Sequence, residues 1–304
     1  MENRNSYQIL YRSLFLWLAV GFSSCGKNDL ERFTGKEGLK LRKEAPCILD
    51  DITLREIQCD RIKYTISVPE KCPESGCGVI FDVHGRTMNA KVQNNNTGLR
   101  ELANPAGYIV VQPSAPNKDW KKSYYPFLTK FIQGFLAGWS VDLNKIHITG
   151  FSQGAVISWH MACELGDVFA SIAPISYAGG TCYGTGTEPQ ISILYHHGEQ
   201  DLFSRFPDAL DTSNRVIESL ALVEQKRYKS PDNSYERIWY QNTFGTKFQT
   251  IFHKFTNSLI FGKGHCFPNP PVRNNYGCRQ SPDYIWGEEV LKFFQQTSKD
   301  KQSS

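Results

Sequence analysis

Lys145-Ile-His-Ile-Thr-Gly-Phe-Ser-Gln-Gly-Ala155 is the stretch on which the fold turns. Lys145 to Thr149 alternates β-branched residues with others, which predicts a strand running into Gly150-Phe-Ser-Gln-Gly154. From Gly154 to Leu165, Ala155, Val156, Trp159, Met161, Ala162 and Leu165 recur at helical spacing. A strand, a G-x-S-x-G turn and a helix in that order form the setting in which a serine sits on a sharp elbow at the top of a sheet. Small residues on both flanks let such a turn approach neighbouring strands without a Cβ clash. Ser152 then projects beside a helix N-terminus, whose backbone amides favour developing negative charge. A helix N-cap serine after an ordinary loop is the plainer alternative, and the patterns on both sides of the motif favour the elbow.

Outward from the elbow, short apolar runs bounded by Pro and Gly predict strands at Ile62 to Val68, Val79 to Val83, Tyr108 to Gln112, Ser171 to Ser176, Ile191 to Tyr195 and Phe248 to Phe255. Helical patterns cover Tyr125 to Trp139, Asp208 to Leu222 and Ser281 to Gln296. Alternating strand and helix implies βαβ units with right-handed crossovers, hence an α/β domain with a mostly parallel sheet and helices on both faces. The 304 residues accommodate one such domain, and no repeat or low-complexity segment interrupts it.

A serine at neutral pH needs a base. Where an elbow carries the nucleophile, the acid and then the histidine follow it in the chain. His84 and His147 precede the elbow, His160 lies in the helix leaving it, and His196 and His197 end a predicted strand. Of the remaining two, His253 falls inside a strand pattern, whereas His265 follows the glycine-rich Phe261-Gly-Lys-Gly264. His265 is therefore the candidate base. Ile191-Ser-Ile-Leu-Tyr-His-His-Gly-Glu-Gln-Asp201 puts a carboxylate just past a buried strand, where it can orient an imidazole and stabilise its cation. Asp201 is the candidate acid, with Glu199 and Asp208 as alternatives. An oxyanion requires two converging N–H donors, and the amide of Gln153, next to the serine, supplies one. Val79-Ile-Phe-Asp-Val-His-Gly-Arg86 is a strand ending in a tight turn, which makes the amide of Arg86 the expected second donor.

The N-terminus reads as an export signal. Met1 to Arg12 is polar and basic, and Ser13 to Phe22 is an apolar run too short to span a bilayer, ending in Ser23-Ser24-Cys25. Phe22-Ser-Ser-Cys25 is also similar to a bacterial lipobox, so Cys25 is a candidate lipidation site and membrane attachment point. These readings divide the chain into a signal (1–25), a charged, glycine-dotted tether (26–45), the folded domain (46–297) and a polar tail (298–304). The 9 cysteines leave an even set after Cys25, and none forms C-x-x-C, so disulfides in an oxidising compartment are expected rather than a metal site. Cys72 with Cys77 and Cys266 with Cys278 are the expected near pairs. The formal charge of +4 resides entirely in residues 1–43, which leaves the folded part neutral and without the basic stripe that nucleic acid binding requires.

With strand-His-Gly, Gly-Phe-Ser-Gln-Gly, strand-His-Gly-x-x-Asp and Gly-x-Gly-His-Cys in order, the chain resembles the secreted polyhydroxybutyrate depolymerase and feruloyl esterase-like family of α/β-hydrolases. The likeness spans about residues 60–295 and is densest from Val141 to Pro174. It implies an α/β-hydrolase fold, Ser152, Asp201 and His265 as a catalytic triad, no cofactor, and polyester, feruloyl or acetyl-polysaccharide esters as substrates. Tyr124-Tyr125 stands where that family has an Asp pair, and His265-Cys-Phe-Pro268 where it has Gly-His-Thr-Trp-Pro, so the likeness assigns no particular ester. A peptidase on the same fold, or a catalytically silent polymer-binding surface lipoprotein, are the rival readings.

Overall fold

The computed structural model describes residues 32–33, 37–43, 45, 47–48, 55–257, 263–280 and 282–299. Two short strands, β1 (Arg32–Phe33) and β2 (Lys40–Leu41), pair antiparallel. A ten-stranded sheet follows, made of β3 (Arg55–Cys59), β4 (Ile62–Ser67), β5 (Cys77–Val83), β6 (Tyr108–Ser114), β7 (Val141–Phe151), β8 (Ser171–Ile175), β9 (Ser192–Gly198), β10 (Val223–Lys229), β11 (Tyr235–Gln241) and β12 (Lys247–His253). The helices are α1 (Ala90–Thr97), α2 (Leu99–Ala103), α3 (Tyr125–Gly138), α4 (Gln153–Glu164), α5 (Phe206–Ser219) and α6 (Trp286–Gln295).

Strand order is β10-β11-β12-β9-β8-β7-β5-β6-β4-β3. The central strands from β12 to β6 run parallel, and antiparallel strands extend the sheet at both edges. Burial on both faces accounts for the largely apolar β5, whose every residue is buried, including Asp82, whose carboxylate accepts from Gln93, Thr97 and Gln112. Phe81 packs toward a core shared with α3, α4 and α5, while Ile80 faces one shared with α2 and α6. From β5 the chain steps to β6 on one side and then crosses to β7 on the other. The order in which the chain adds parallel strands thus reverses between β5 and β7, the place where ligand crevices open in folds of this class.

All eight cysteines from Cys47 onward pair, as Cys47–Cys59, Cys72–Cys77, Cys163–Cys182 and Cys266–Cys278. Residues 1–25, with the expected signal and Cys25, lie outside the described residues. Two expected boundaries are corrected. Leu39 and Leu41, assigned to a tether, are fully buried, and the main chain beside them bonds to the end of α3 through Arg42 N to Gly138 O (2.7 Å). The apolar period of two at Leu39 and Leu41, between Lys40 and Arg42, is a strand signal that the surrounding charges conceal. At the other end, Ser298, the first residue of the expected tail, is only 3% exposed. The Thr297 hydroxyl beside it donates to Phe293 O (2.9 Å) and lies 2.8 Å from the Ser171 hydroxyl, which fastens the end of α6 to β8.

Candidate active site

Ser152 links β7 to α4 at φ 53°, ψ −115°, a backbone conformation that L-residues occupy only under strain. The surroundings hold it there: Ser152 N donates to Ile175 O (3.0 Å) at the end of β8, and Gly154 is pressed against β5. A Cβ on Gly154 would lie 2.0 Å from the Val83 carbonyl oxygen, so the elbow can close only around hydrogen at that position. Gly154→Ala is expected to lower unfolding free energy by more than about 3 kcal/mol, read as a shift in the urea midpoint. A wild-type midpoint would show that the turn relaxes more easily than its packing indicates.

Asp201 and His265 meet. His265 Nδ1 donates to Asp201 Oδ2 at 2.7 Å, and both side chains are buried. The second carboxylate oxygen, Oδ1, accepts the amides of Phe203 (2.8 Å) and Ser204 (3.0 Å), so one side chain orients the imidazole and shapes the turn that follows. The loops bearing the two residues touch backbone to backbone. A Cβ on Gly198 would fall 2.2 Å from Gly264 O, and Gly264 has φ +87°. Of the alternatives to Asp201, Asp208 pairs with Arg205 at the start of α5, and no bond joins Glu199 to His265 among the described residues. His253 is buried in β12 with Nδ1 accepting Phe255 N (3.1 Å).

The imidazole of His265 lies against Phe151, the residue preceding the serine, with ring centroids 4.8 Å apart. The Ser152 hydroxyl is half-buried and makes no hydrogen bond to His265 among the described residues. In unliganded hydrolases this contact is commonly long and tightens when substrate binds.

On the other side of the elbow, His84 determines how the strand-end turn is presented. Its Nε2 accepts Ala115 N (2.9 Å), so the proton resides on Nδ1 and is donated to Gly85 O (2.7 Å). Burial pushes this imidazole down to about 4, which keeps it neutral. Because the peptide is trans, pinning the Gly85 carbonyl fixes the Arg86 N–H in the opposite direction. Gln153 N–H is the first of α4 and precedes the helical ladder. The side chains of these two residues share Asp119: Gln153 Nε2 donates to Asp119 Oδ1 (2.9 Å), and Arg86 Nε lies 3.3 Å from the same oxygen. Trp120 N donates to Gln153 Oε1 (3.0 Å), which closes the loop after β6 over the elbow.

The turn bearing Arg86 has a further support that the sequence did not reveal. Thr87 stands at φ 69°, strained for a β-branched residue. Its amide donates to Lys118 O (2.8 Å), and its hydroxyl lies 3.0 Å from Tyr276 Oη. Tyr276 belongs to the loop closed by Cys266–Cys278, immediately after the candidate base. One disulfide-bounded segment thus braces both the imidazole and the turn bearing Arg86.

No protein-family model matches the chain. It is 26% identical over 129 residues to a probable acetylxylan esterase A of Aspergillus clavatus, covering 38% of this chain and 42% of that protein. It is 26% identical over 169 residues to a probable feruloyl esterase C of Aspergillus terreus, covering 52% and 61%. A bifunctional acetylxylan esterase/xylanase of Neocallimastix patriciarum matches at 22% over 129 residues, covering 40% of this chain and 19% of that one. The chain thus spans less than two thirds of each of these relatives. Among solved structures, an acetyl xylan esterase from Aspergillus awamori superposes with a TM-score of 0.58 at 15% identity, over 81% of this chain and all of that one. Sheet order, elbow and this superposition together establish that the chain has the α/β-hydrolase fold.

Proposed function

We propose that the protein is an exported serine hydrolase that cleaves carboxylic esters of plant polysaccharides through an acyl-enzyme. The observation that carries this reading is the 2.7 Å bond between His265 Nδ1 and Asp201 Oδ2 beside a serine held on a strained elbow. Ser152 Oγ attacks the ester carbonyl while His265 Nε2 takes its proton, and the Arg86 and Gln153 amides receive the oxyanion. The imidazolium then returns the proton to the leaving alkoxide. Water repeats the sequence to free the acid and regenerate Ser152.

Acetyl and feruloyl esters of xylan are the favoured substrates, because the named relatives are acetylxylan and feruloyl esterases. Polyhydroxybutyrate cleavage rests on the resemblance of motifs alone. The four disulfides support work in an oxidising compartment, outside the cell or at its envelope, and attachment through a lipidated Cys25 belongs to the same reading. A panel of acetylated xylan, methyl ferulate and polyester film tests the assignment. Release of acetate or ferulate well above release from polyester is expected. Turnover of polyester alone, or of none of the three, would overturn it.

A further inference from the structure

The turn that follows the candidate acid carries two large apolar side chains in the open. Leu202 is 72% and Phe203 62% exposed, in a protein whose other large apolar residues are mostly buried. The main chain carrying Phe203 is firmly held. Asp201 Oδ1 accepts the Phe203 and Ser204 amides, Ser204 O accepts from His197 Nε2 (2.7 Å), and Ser204 Oγ accepts Ala178 N (2.9 Å). The Phe203 ring lies beside the candidate base, its centroid 5.1 Å from that of His265 at an interplanar angle of 60°. A rigid turn that holds an aromatic ring in water carries a persistent solvation penalty, and such exposed apolar surface beside a site marks a contact for a ligand.

Resting on the hydrolase reading above, we infer that Phe203, with Leu202, is the stacking platform for the alcohol half of the substrate, and that this alcohol is a sugar ring. Chemistry places it on this side. His265 hands its proton to the leaving alkoxide, so the alcohol must lie within hydrogen-bond reach of the imidazole that Phe203 touches. The carbonyl oxygen instead faces the Arg86 and Gln153 amides. A pyranose or furanose presents a flat C–H face that packs on an aromatic ring while its hydroxyls stay in water. A methyl or ethyl alcohol is too small to cover such a surface. Phe203 is thus a specificity residue, whose role is to favour esters of polysaccharides over small alkyl esters of the same acid.

The test compares two alcohols on one acid: methyl acetate against acetylated xylobiose, and methyl ferulate against feruloylated arabinoxylan oligosaccharide. Phe203→Ala is expected to lower kcat/KM for the sugar ester relative to its methyl partner by roughly tenfold, with Phe203→Trp keeping the wild-type preference. Leu202→Ala, which leaves the ring beside His265 in place, should move the ratio in the same direction by less. Unesterified xylo-oligosaccharide should inhibit methyl-ester hydrolysis less in Phe203→Ala than in wild type. A preference unchanged in Phe203→Ala, including an equal fall on both esters, overturns the platform while leaving the hydrolase reading intact. A wild-type protein that cleaves none of the four esters overturns both.

Discussion

Ser152→Ala should lower kcat for a short-chain ester by roughly 10⁴ or more, and His265→Ala by a similar factor. The two losses should not add in the double variant, because the nucleophile and its base act as a unit. Asp201→Asn is expected to be milder. It keeps the fold of the turn, since an amide oxygen can still accept the Phe203 and Ser204 amides now received by Oδ1, but it removes the charge that stabilises the imidazolium. Initial-rate kinetics on a nitrophenyl ester, with active-site titration to exclude traces of wild type, measure all four proteins. Activity in Ser152→Ala within tenfold of wild type contradicts the assignment.

Stability should collapse in acid for a reason unrelated to catalysis. Burial depresses His84 to about 4, and His147 and His253 to about 3, against an ordinary value of 6.5. Each is neutral in the folded protein and takes a proton on unfolding. The stabilisation is therefore complete above pH 6.5 and is lost as pH falls toward the depressed values. At pH 5 each of the three gives up roughly 2 kcal/mol, about 6 kcal/mol together, a large part of the stability of an ordinary domain. His196 and His197, also lowered by burial, act in the same direction. Thermal unfolding followed by circular dichroism should show Tm falling by roughly 10 to 20 °C between pH 7.5 and pH 5. A Tm unchanged or higher at pH 5 would show that these imidazoles are protonated in the folded state.

How far the structure could be read from the chain depends on where burial is two-sided. The parallel core strands announced themselves because both faces of β5, of β8 and of β7 from Ile146 onward are covered, so mostly apolar residues run between glycine and proline boundaries. β10, Val223 to Lys229, is exposed at every position, an edge strand whose charges carry no period, and it escaped the same reading. β11 went with it, since its Tyr235, Arg237 and Trp239 alternate with Glu236 and Ile238 in no clean apolar order. Within the site, Asp201 and His265 were legible because chain order and loop chemistry restrict the choices. The Gly198–Gly264 contact, the bracing of Thr87 by Tyr276 and the exposure of Phe203 depend on loops distant in sequence, and nothing local to those residues marks them.

The most direct test of the account is covalent. Wild-type protein treated with a fluorophosphonate should gain one adduct by intact mass spectrometry, and peptide mapping should place it on Ser152 within Ile146 to Ala155. Labelling should vanish in Ser152→Ala and on prior denaturation. An adduct on any other residue, or a native wild-type protein that remains unlabelled, would contradict a nucleophilic serine at the elbow.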